Sequence, residues 1–269
     1  MDNYISIHFE KVDSSQQDLL IAQLTEIGYE GFEQTPDALT AFIPEKAYDE
    51  KAFQSINGHT AFTKSFIAQQ NWNDIWEKSF EPVIVGNFCS IRASFHPPIH
   101  HTLHDIVITP KMSFGTGHHA TTLLMVRIMQ TFDLRGKSVL DFGTGTGILS
   151  ILAEKCGAEH VMAIDNDPWS INNATENVAA NDCKKVTVQH ADTIPVPWAF
   201  DLILANINKH IINQQLPEIA QHLKDDGVLV LCGLLSGDRE EIQQNATLQQ
   251  LKVVEIREEK EWIALICRH

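Results

Sequence analysis

The sequence lacks several features that would reveal its compartment or its chemistry directly. None of its apolar runs approaches the roughly 18 residues of a membrane-spanning helix, and its start does not show the basic-then-apolar pattern of a signal peptide. The five cysteines are scattered without metal-binding spacing, which favours reduced core thiols over disulfides or zinc ligands. We therefore expect a soluble, cytoplasmic protein without a bound metal.

Basic residues are also scarce for a protein that binds nucleic acid. Lysine and arginine total 20 against 35 aspartate and glutamate residues, which gives a net charge of −15. Such a surface repels phosphate backbones and attracts basic partners, although an acidic excess also keeps many proteins soluble. With 269 residues and 43% hydrophobic content, the chain is long enough for one large domain and one small one.

The first domain, residues 1–68, is expected to be a small α+β unit. Alternating apolar residues predict strands at residues 4–9, 31–34, 39–43 and 62–68. One helix should follow Ser14 and Ser15 and end at Gly28, and a second should cover residues 47–55. The resulting βαββαβ order is ferredoxin-like. We interpret the unit as a recognition or packing domain because it has no phosphate-binding loop and no acid/base cluster.

A helical linker is predicted over residues 69–81. Trp72, Ile75, Trp76 and Phe80 recur at a spacing that places them on one helical face. Such a stripe usually packs against a domain, and a substrate-facing aromatic surface is the alternative.

The remaining residues, 82–269, are expected to form the large domain. Short strands are predicted at 82–86, 88–95 and 106–109. His100, His101 and His104 resemble a metal cluster, but no carboxylate or cysteine lies at ligand spacing. We therefore interpret these histidines as part of a solvated loop.

From residue 138 onward, strands and helices alternate. The predicted strands cover 138–142, 160–165, 185–190, 201–205 and 227–232, and the predicted helices lie near 148–156, 169–181 and 211–223. This alternation is typical of a doubly wound parallel α/β sheet, whose ligands bind beyond the carboxyl ends of the strands. Two last strands, at 252–257 and 261–267, are too close for a helical crossover and should pair as an antiparallel hairpin.

The predicted strand at residues 138–142 runs into a turn that contains Gly143, Gly145 and Gly147. Glycine tolerates a positive φ and lets a ligand approach the backbone, and the N–H groups of a helix start attract electron-rich atoms. An ordinary βα turn is the alternative, because short glycine motifs often arise by chance. Asp165 ends the next strand, 22 residues beyond Gly143, where a carboxylate can accept hydrogen bonds from ribose hydroxyls.

The glycine spacing separates this turn from that of nicotinamide enzymes. Their fingerprint has its third glycine in the sixth position, which Ile148 occupies here. With its antiparallel hairpin and no basic residue beside Asp165, the chain resembles Rossmann-like methyltransferases that use S-adenosylmethionine. That resemblance implies a seven-stranded sheet and an adenine contact at Asp192, for which a solvated turn acid is the alternative.

Asn206 ends the fourth predicted strand. In nucleic acid amino-methylating relatives this position opens an Asn/Asp-Pro-Pro-aromatic motif, but Ile207 and Asn208 replace the prolines here. A flat base therefore loses its usual stacking platform. An amide at this point can accept a hydrogen bond from an incoming amine while it donates another to the cofactor.

A glycine-bearing loop, residues 109–122, precedes a helix predicted over residues 123–132. Its threonine-rich end supplies hydroxyl and N–H groups that suit a polar ligand. Thr121 or Thr122 could therefore cap the helix or contact a ligand, and the sequence leaves both roles open.

Three pieces together resemble a bacterial family that methylates ribosomal protein L11: residues 72–86, the loop 114–122, and Ala205-Asn-Ile207. The resemblance implies that the N-terminal domain captures the ribosomal protein and that the linker lets it swing. It also implies cofactor contacts at Thr122, Gly143, Asp165 and Asn206, to which the glycine turn adds Gly145. The family usually has Thr-His-Pro where this chain has His118-His-Ala120.

The expected reaction is in-line transfer of a sulfonium methyl group to amine nitrogens of a basic protein by a monomeric enzyme. The sequence does not indicate which residue acts as a general base, so we expect desolvation and orientation of the amine to provide most of the rate enhancement. Phe114 and Asn206 should line the amine channel, and His119 either relays a proton or orders its loop. The alternatives are methylation of another protein, a small amine or nucleic acid, a non-catalytic ribosomal-protein binder, and a nicotinamide dehydrogenase.

Overall fold

The computed structural model describes residues 3–57, 60–67, 81–109 and 117–269. The chain divides into two compact units, Met1–Ser79 and Phe80–His269. The aromatic stripe of the predicted linker, formed by Trp72, Ile75, Trp76 and Phe80, lies outside the described residues. The swinging role of that linker and the recognition role of the first unit stay predictions.

The first unit contains the predicted βαββαβ order. Its elements are β1 (Tyr4–Glu10), α1 (Ser14–Glu26), β2 (Gly31–Gln34), β3 (Ala38–Pro44), α2 (Glu50–Asn57) and β4 (Phe62–Ile67). All strand pairs are antiparallel and the sheet order is β2-β3-β1-β4, as in a ferredoxin-like domain. Asp13 caps α1 in a reciprocal capping box with Gln16.

The prediction of a second helix from residue 47 was wrong at its start. Glu45–Ala47 forms a separate short 3₁₀ turn, and α2 begins only at Glu50. The Oδ1 atom of Asp49 accepts the backbone N–H groups of Lys51 and Ala52, at 2.8 and 3.2 Å. Asp49 therefore satisfies the free N–H groups of the helix start and fixes where α2 begins.

The second unit opens with a three-stranded sheet. Its strands are β5 (Val83–Val85), β6 (Cys89–Ala93) and β7 (His104–Ile108), in the order β5-β6-β7. His104 belongs to β7, which corrects its assignment to a loop, whereas His100 and His101 lie between β6 and β7. The charged pair Arg92 and Asp105, 2.8 Å apart, joins β6 to β7.

Seven strands form the main sheet of the second unit. They are β8 (Ser138–Phe142), β9 (His160–Asp165), β10 (Val186–His190), β11 (Phe200–Asn206), β12 (Leu223–Leu235), β13 (Lys252–Glu259) and β14 (Trp262–Arg268). The sheet order is β10-β9-β8-β11-β12-β14-β13. The first five strands are parallel, and β14 is antiparallel to both β12 and β13. The predicted Rossmann-like sheet with a terminal hairpin is confirmed.

Helices cover both faces of this sheet. They are α3 (Ala120–Met129), α4 (Ile148–Lys155), α5 (Pro168–Ala180), α6 (Lys209–Gln221) and α7 (Arg239–Leu248). One core joins α3, α4, α5 and the three-stranded sheet to one face, and a second core joins α6 and α7 to the other. No helix in the described parts of the chain is long and apolar enough to span a membrane. The five cysteines are free, and four of them are buried.

The arrangement of strands decides where a ligand can bind. The sheet order reverses between β8 and β11, since β9 and β10 extend it to one side of β8 while β11 and β12 extend it to the other. The loops that leave the two central strands diverge at their carboxyl ends and open a crevice there. The glycine turn follows β8 and Asn206 ends β11, so both border this crevice.

Candidate active site

A cavity of about 610 Å³ lies at the carboxyl edge of the parallel strands. Its walls include the glycine turn and the residues that end β9, β10 and β11. These lining residues are Phe142, Gly143, Gly145, Ile164, Asp165, Asn166, Ala191, Asp192, Asn206 and Ile207. Gly143, Gly145, Asp165, Asp192 and Asn206, which the sequence predicts as cofactor contacts, therefore border a single cavity.

The glycine turn adopts the backbone that its sequence permits. Gly143, Gly145 and Gly147 have φ values of 75°, 56° and 82°, in the left-handed region that side chains disfavour. The backbone N–H groups of Gly143 and Thr144 both donate to the carbonyl oxygen of Ile164, at 2.9 Å. These bonds hold the turn against the end of β9.

Asp141 anchors the turn from below. Its Oδ2 atom accepts the hydroxyl groups of Thr144 and Ser150, at 2.6 and 2.7 Å, and the backbone N–H of Ser150 at 3.2 Å. The side chain is buried, and desolvation raises the pKa of Asp141 from its usual 3.8 to about 6 against the lowering effect of these hydrogen bonds. The carboxyl group thus ties the turn to the first helical residues of α4.

Asp165 joins the turn to α5. Its Oδ2 atom accepts the N–H of Gly145 at 2.9 Å, and its Oδ1 atom accepts the N–H of Asp167 at 3.0 Å. A carboxylate offers about four lone-pair sites, so each oxygen can accept a further hydrogen bond from a ligand in the cavity. Asp167 in turn caps α5 by accepting the N–H groups of Trp169 and Ser170.

Asn206 presents a buried acceptor at the end of β11. Among the residues that the structure describes, its Oδ1 atom has no hydrogen-bond partner although it is shielded from solvent. An unpaired buried carbonyl oxygen costs about 1–3 kcal/mol, so a ligand that donates to it would recover that cost. Asn206 is also one of the residues that line the cavity.

Ile207 fills the space between two glycines. A Cβ atom on Gly143 would lie 2.3 Å from Ile207 Cγ2, and a Cβ atom on Gly233 would lie 2.3 Å from the Ile207 carbonyl oxygen. Gly233 also has a positive φ of 85° and lines the cavity. The residue in the first proline position of the nucleic acid motif is therefore packed tightly between the glycine turn and β12.

The threonines at the start of α3 have different surroundings. His119, and neither threonine, is the N-cap of α3, because its Nδ1 atom accepts the N–H of Thr121 at 3.3 Å. His119 and Thr121 line the cavity, whereas Thr122 is buried outside the lining. The Oγ1 atom of Thr122 has no hydrogen-bond partner within the described ranges. Phe114 lies outside the residues that the structure describes.

The cavity lining also contains residues that the sequence interpretation missed. The ring of Trp262 on β14 meets that of His119 edge to face, with centroids 4.9 Å apart, and both line the cavity. Helix α6 and its N-cap contribute Asn208, Ile211, Gln214 and Gln215. Asn208, Ile211 and Gln215 recur at helical spacing after Asn206, a signal that could have identified this part of the lining. Trp262 gives no comparable signal because it is far from the glycine turn in sequence.

The cavity fits S-adenosylmethionine in its donor set. The glycine backbone, Asp165 and Asp192 suit a nucleoside at the ends of β8, β9 and β10. The unpartnered Oδ1 atom of Asn206 suits an amino group, which donates hydrogen bonds. No group of three histidine, cysteine, aspartate or glutamate residues that could hold a metal ion occurs in the described portion of the chain.

Comparison with known proteins gives a consistent result. A model of the family "Ribosomal protein L11 methyltransferase (PrmA)" matches residues 6–269. The chain is 40% identical to a ribosomal protein L11 methyltransferase of Porphyromonas gingivalis, covering 92% of this chain and 89% of the relative. It is 37% identical to that of Chlorobaculum tepidum, covering 98% and 96%.

A solved structure supports the same relationship. The crystal structure of a ribosomal protein L11 methylase from Lactobacillus delbrueckii subsp. bulgaricus matches with a TM-score of 0.66 at 28% identity. The match covers 71% of this chain and all of the other. The chain belongs to the ribosomal protein L11 methyltransferase family.

Proposed function

We propose that the chain transfers methyl groups from S-adenosylmethionine to amino groups of ribosomal protein L11, either lysine side chains or the N-terminal amine. Membership of the family makes the chain a methyltransferase that uses S-adenosylmethionine. The observation that supports the site assignment most strongly is the unpartnered Oδ1 atom of Asn206, in a cavity that also contains Asp165 and the glycine turn.

The chemistry places demands on the acceptor amine. S-adenosylmethionine, when bound, supplies a methyl group on a positively charged sulfur, and the carbon–sulfur bond breaks as a carbon–nitrogen bond forms. An amine attacks only through its lone pair, yet a lysine with a pKa near 10.4 is about 99.9% protonated at pH 7. The site must therefore favour the neutral amine. Transfer of the methyl group leaves the nitrogen positively charged, and its extra proton then leaves to solvent.

The cavity wall near Asn206 meets this demand by its composition. Asn208, Ile211, Gln214 and Gln215 carry no charge, so this wall offers no carboxylate that would stabilise an ammonium ion. Desolvation against such a wall disfavours the charged amine. Orientation of nitrogen, methyl carbon and sulfur in line can contribute several kcal/mol. Asn206 is proposed to orient the amine through Oδ1 and His119 to order the start of α3, and the role of Phe114 in the channel stays a prediction.

Gly143, Gly145, Asp165 and Asp192 are proposed to hold the nucleoside of the cofactor. Thr122, which is buried outside the lining of the cavity, stays a prediction of the family resemblance as a further contact. The carboxylate of Asp165 accepts ribose hydroxyls, and Asp192, which is exposed beyond β10, accepts the amino group of adenine.

The acidic charge of the chain suits a basic protein substrate. The net charge of −15 attracts a basic ribosomal protein and opposes direct contact with RNA. We further propose that the enzyme acts in the cytoplasm as a monomer, and light scattering of the purified protein tests the oligomeric state. A dimeric mass would contradict that part of the proposal.

The experiment that tests the function offers two acceptors in parallel. Purified enzyme and labelled S-adenosylmethionine are incubated with ribosomal protein L11 in one reaction and with ribosomal RNA in another. Label is expected on the protein, and the Asp165→Ala variant should transfer much less. Label found only in RNA would contradict the proposed substrate, and absence of label from both would contradict methyl transfer by this chain.

A further inference from the structure

One buried side chain connects the glycine turn to a different part of the second unit. Asn177 on α5 is completely buried and does not line the cavity. Its Nδ2 atom donates to the carbonyl oxygen of Thr146 at 2.8 Å, and its Oδ1 atom accepts the N–H of Thr109 at 2.7 Å. These partners lie 31 and 68 residues away in sequence.

The Thr146 contact completes a set of three. Asp141 holds the side chain of Thr144, Asp165 holds the N–H of Gly145, and Asn177 holds the carbonyl oxygen of Thr146. Three consecutive turn residues are thus fixed by three side chains from β8, β9 and α5. Of these three side chains, Asn177 is the one that also bonds to Thr109, just beyond β7 of the three-stranded sheet.

The Thr109 contact lies at the edge of the three-stranded sheet. β7 is an edge strand, so its outward backbone groups need partners other than a neighbouring strand. Asn181 satisfies two of them, accepting the N–H of Val107 at 2.9 Å and donating to its carbonyl oxygen at 2.6 Å. Asn177 satisfies the N–H of Thr109 just beyond β7. Asn177 and Asn181, one helical turn apart, therefore make the hydrogen bonds to these backbone groups that a neighbouring strand would otherwise make.

The side-chain type at 177 is strongly constrained. The position needs one acceptor and one donor at fixed reach, and its Nδ2 atom also donates to Asn173 Oδ1 at 3.2 Å. Aspartate has the same size but no donor when it is ionised, and alanine offers neither group. The main chain of α5 is also close to the turn, since a Cβ atom on Gly147 would lie 3.3 Å from that of Ala174.

We propose that Asn177 is a positioning residue for cofactor binding, which fixes the glycine turn relative to the end of β7 without touching the cofactor. This inference rests on the proposed function, because it concerns the cofactor cavity of the methyltransferase. It assigns Asn177 a role distinct from that of Asn181, which contacts β7 but not the glycine turn.

The test compares Asn177→Ala, Asn177→Asp and the matched control Asn181→Ala in the full-length protein. Calorimetric titration with S-adenosylmethionine gives the cofactor affinity, and thermal denaturation gives the stability. Asn177→Ala should weaken cofactor binding about tenfold or more, as expected for loss of a buried hydrogen bond that shapes the site. Asn181→Ala should lower the melting temperature but leave the affinity within about twofold.

The Asn177→Asp variant adds a second measurement, the pH dependence of cofactor affinity, which would not change if Asn177 had only a structural role. Its carboxylate can accept the N–H of Thr109 but faces the carbonyl oxygen of Thr146 without a proton. Towards about pH 5 the introduced carboxyl group becomes protonated and can donate again. Its cofactor affinity relative to wild type should therefore improve as the pH falls, whereas that of Asn181→Ala should not. This variant also serves if Asn177→Ala does not fold.

Two outcomes would overturn the proposal, and they can be told apart. If wild type binds the cofactor and substitutions at 177 and 181 lower stability without a difference in affinity, Asn177 is only structural. If wild type itself binds no S-adenosylmethionine, the proposed function fails and the positioning role fails with it.

Discussion

A Cβ atom on Gly233 would lie 2.3 Å from the carbonyl oxygen of Ile207, so no side chain fits between these two residues. Ile207 N–H donates to the carbonyl oxygen of Cys232 at 3.2 Å, which ties the same two segments together. Because Ile207 directly follows Asn206 in the chain, the packing of Ile207 fixes the main-chain position of Asn206, whose side chain is proposed to orient the amine. Ile207, which replaces a proline of the nucleic acid motif, is thus packed against both Gly143 and Gly233, and both glycines line the cavity.

The two glycines that contact Ile207 should respond differently to a second substitution. Gly143→Ala would meet the Ile207 side chain, and Gly233→Ala would meet its main chain. Each should lower the free energy of unfolding by about 1–3 kcal/mol through overpacking, with added strain from the positive φ. Adding Ile207→Ala should recover part of the loss for Gly143→Ala and none for Gly233→Ala. Urea denaturation of the single and double variants measures this, and equal recovery would contradict the packing described.

Asp165 should contribute more to cofactor binding than Asp192, although both line the cavity. Asp165 also holds the N–H of Gly145, whereas Asp192 is exposed and no pairing with the turn is seen for it. Asp165→Ala should weaken S-adenosylmethionine binding about tenfold or more, since hydrogen bonds to charged groups contribute about 1.5–3 kcal/mol. Asp192→Ala should have a smaller effect. Isothermal titration calorimetry measures the cofactor affinity of both variants. A larger loss of affinity for Asp192→Ala than for Asp165→Ala would contradict this prediction.

Asp141 should make the stability depend on pH in an unusual direction. Burial raises its pKa to about 6, so the folded state holds a proton that the unfolded state has released above its usual pKa of 3.8. The free energy of unfolding should therefore fall as the pH rises from about 4 to about 6, by up to about 3 kcal/mol from this group.

Asp141→Asn is the matched variant for this effect, because an amide oxygen can still accept from Thr144 and Ser150. The difference in unfolding free energy, wild type minus variant, should decrease as the pH rises through that window. Urea denaturation at several pH values gives this difference directly. A difference that stayed constant from pH 4 to pH 7 would show that Asp141 does not titrate there.

Asn206 should affect turnover more than its neighbour Asn208, which lines the same cavity but is exposed. Asn206→Ala removes the buried acceptor and should lower kcat/KM about tenfold or more, because orientation of the amine is lost. Asn208→Ala should lower it less, because this substitution keeps the wall uncharged and leaves the Oδ1 atom of Asn206 in place. Steady-state kinetics with ribosomal protein L11 compares the two variants, and equal losses would contradict a special role for Asn206.

Much of the fold follows from local sequence patterns. β8 and β9 have the predicted bounds, since each is an apolar run that ends where turn or polar residues begin. Helix α7 was missed because it buries only Ile242 and Ala246, and the rest of it is polar except for the exposed Leu248, so too few apolar residues share a face to be detected. The start of α2 was misplaced because a 3₁₀ turn and a capping aspartate precede it, and both depend on local geometry.

Site residues could be predicted from the sequence where a polar side chain lies at the end of an apolar strand. Asp165 and Asn206 were identified because each is a polar residue directly after an apolar strand. Asn177 could not be found this way, since its partners are distant in sequence and its burial depends on the packing of α5. His119 was expected in the loop, and the structure shows that it caps α3, because its ring nitrogen accepts the N–H of Thr121. The sequence had left capping by Thr121 or Thr122 open.

Mass spectrometry of ribosomal protein L11 after incubation with the enzyme and S-adenosylmethionine tests the central claim most directly. We expect mass increments of whole methyl groups on lysine side chains or the N-terminal amine, which fall strongly when Asp165→Ala or Asn206→Ala replaces the wild type. Unmodified ribosomal protein L11 in a reaction where the wild-type enzyme demonstrably binds the cofactor would contradict it.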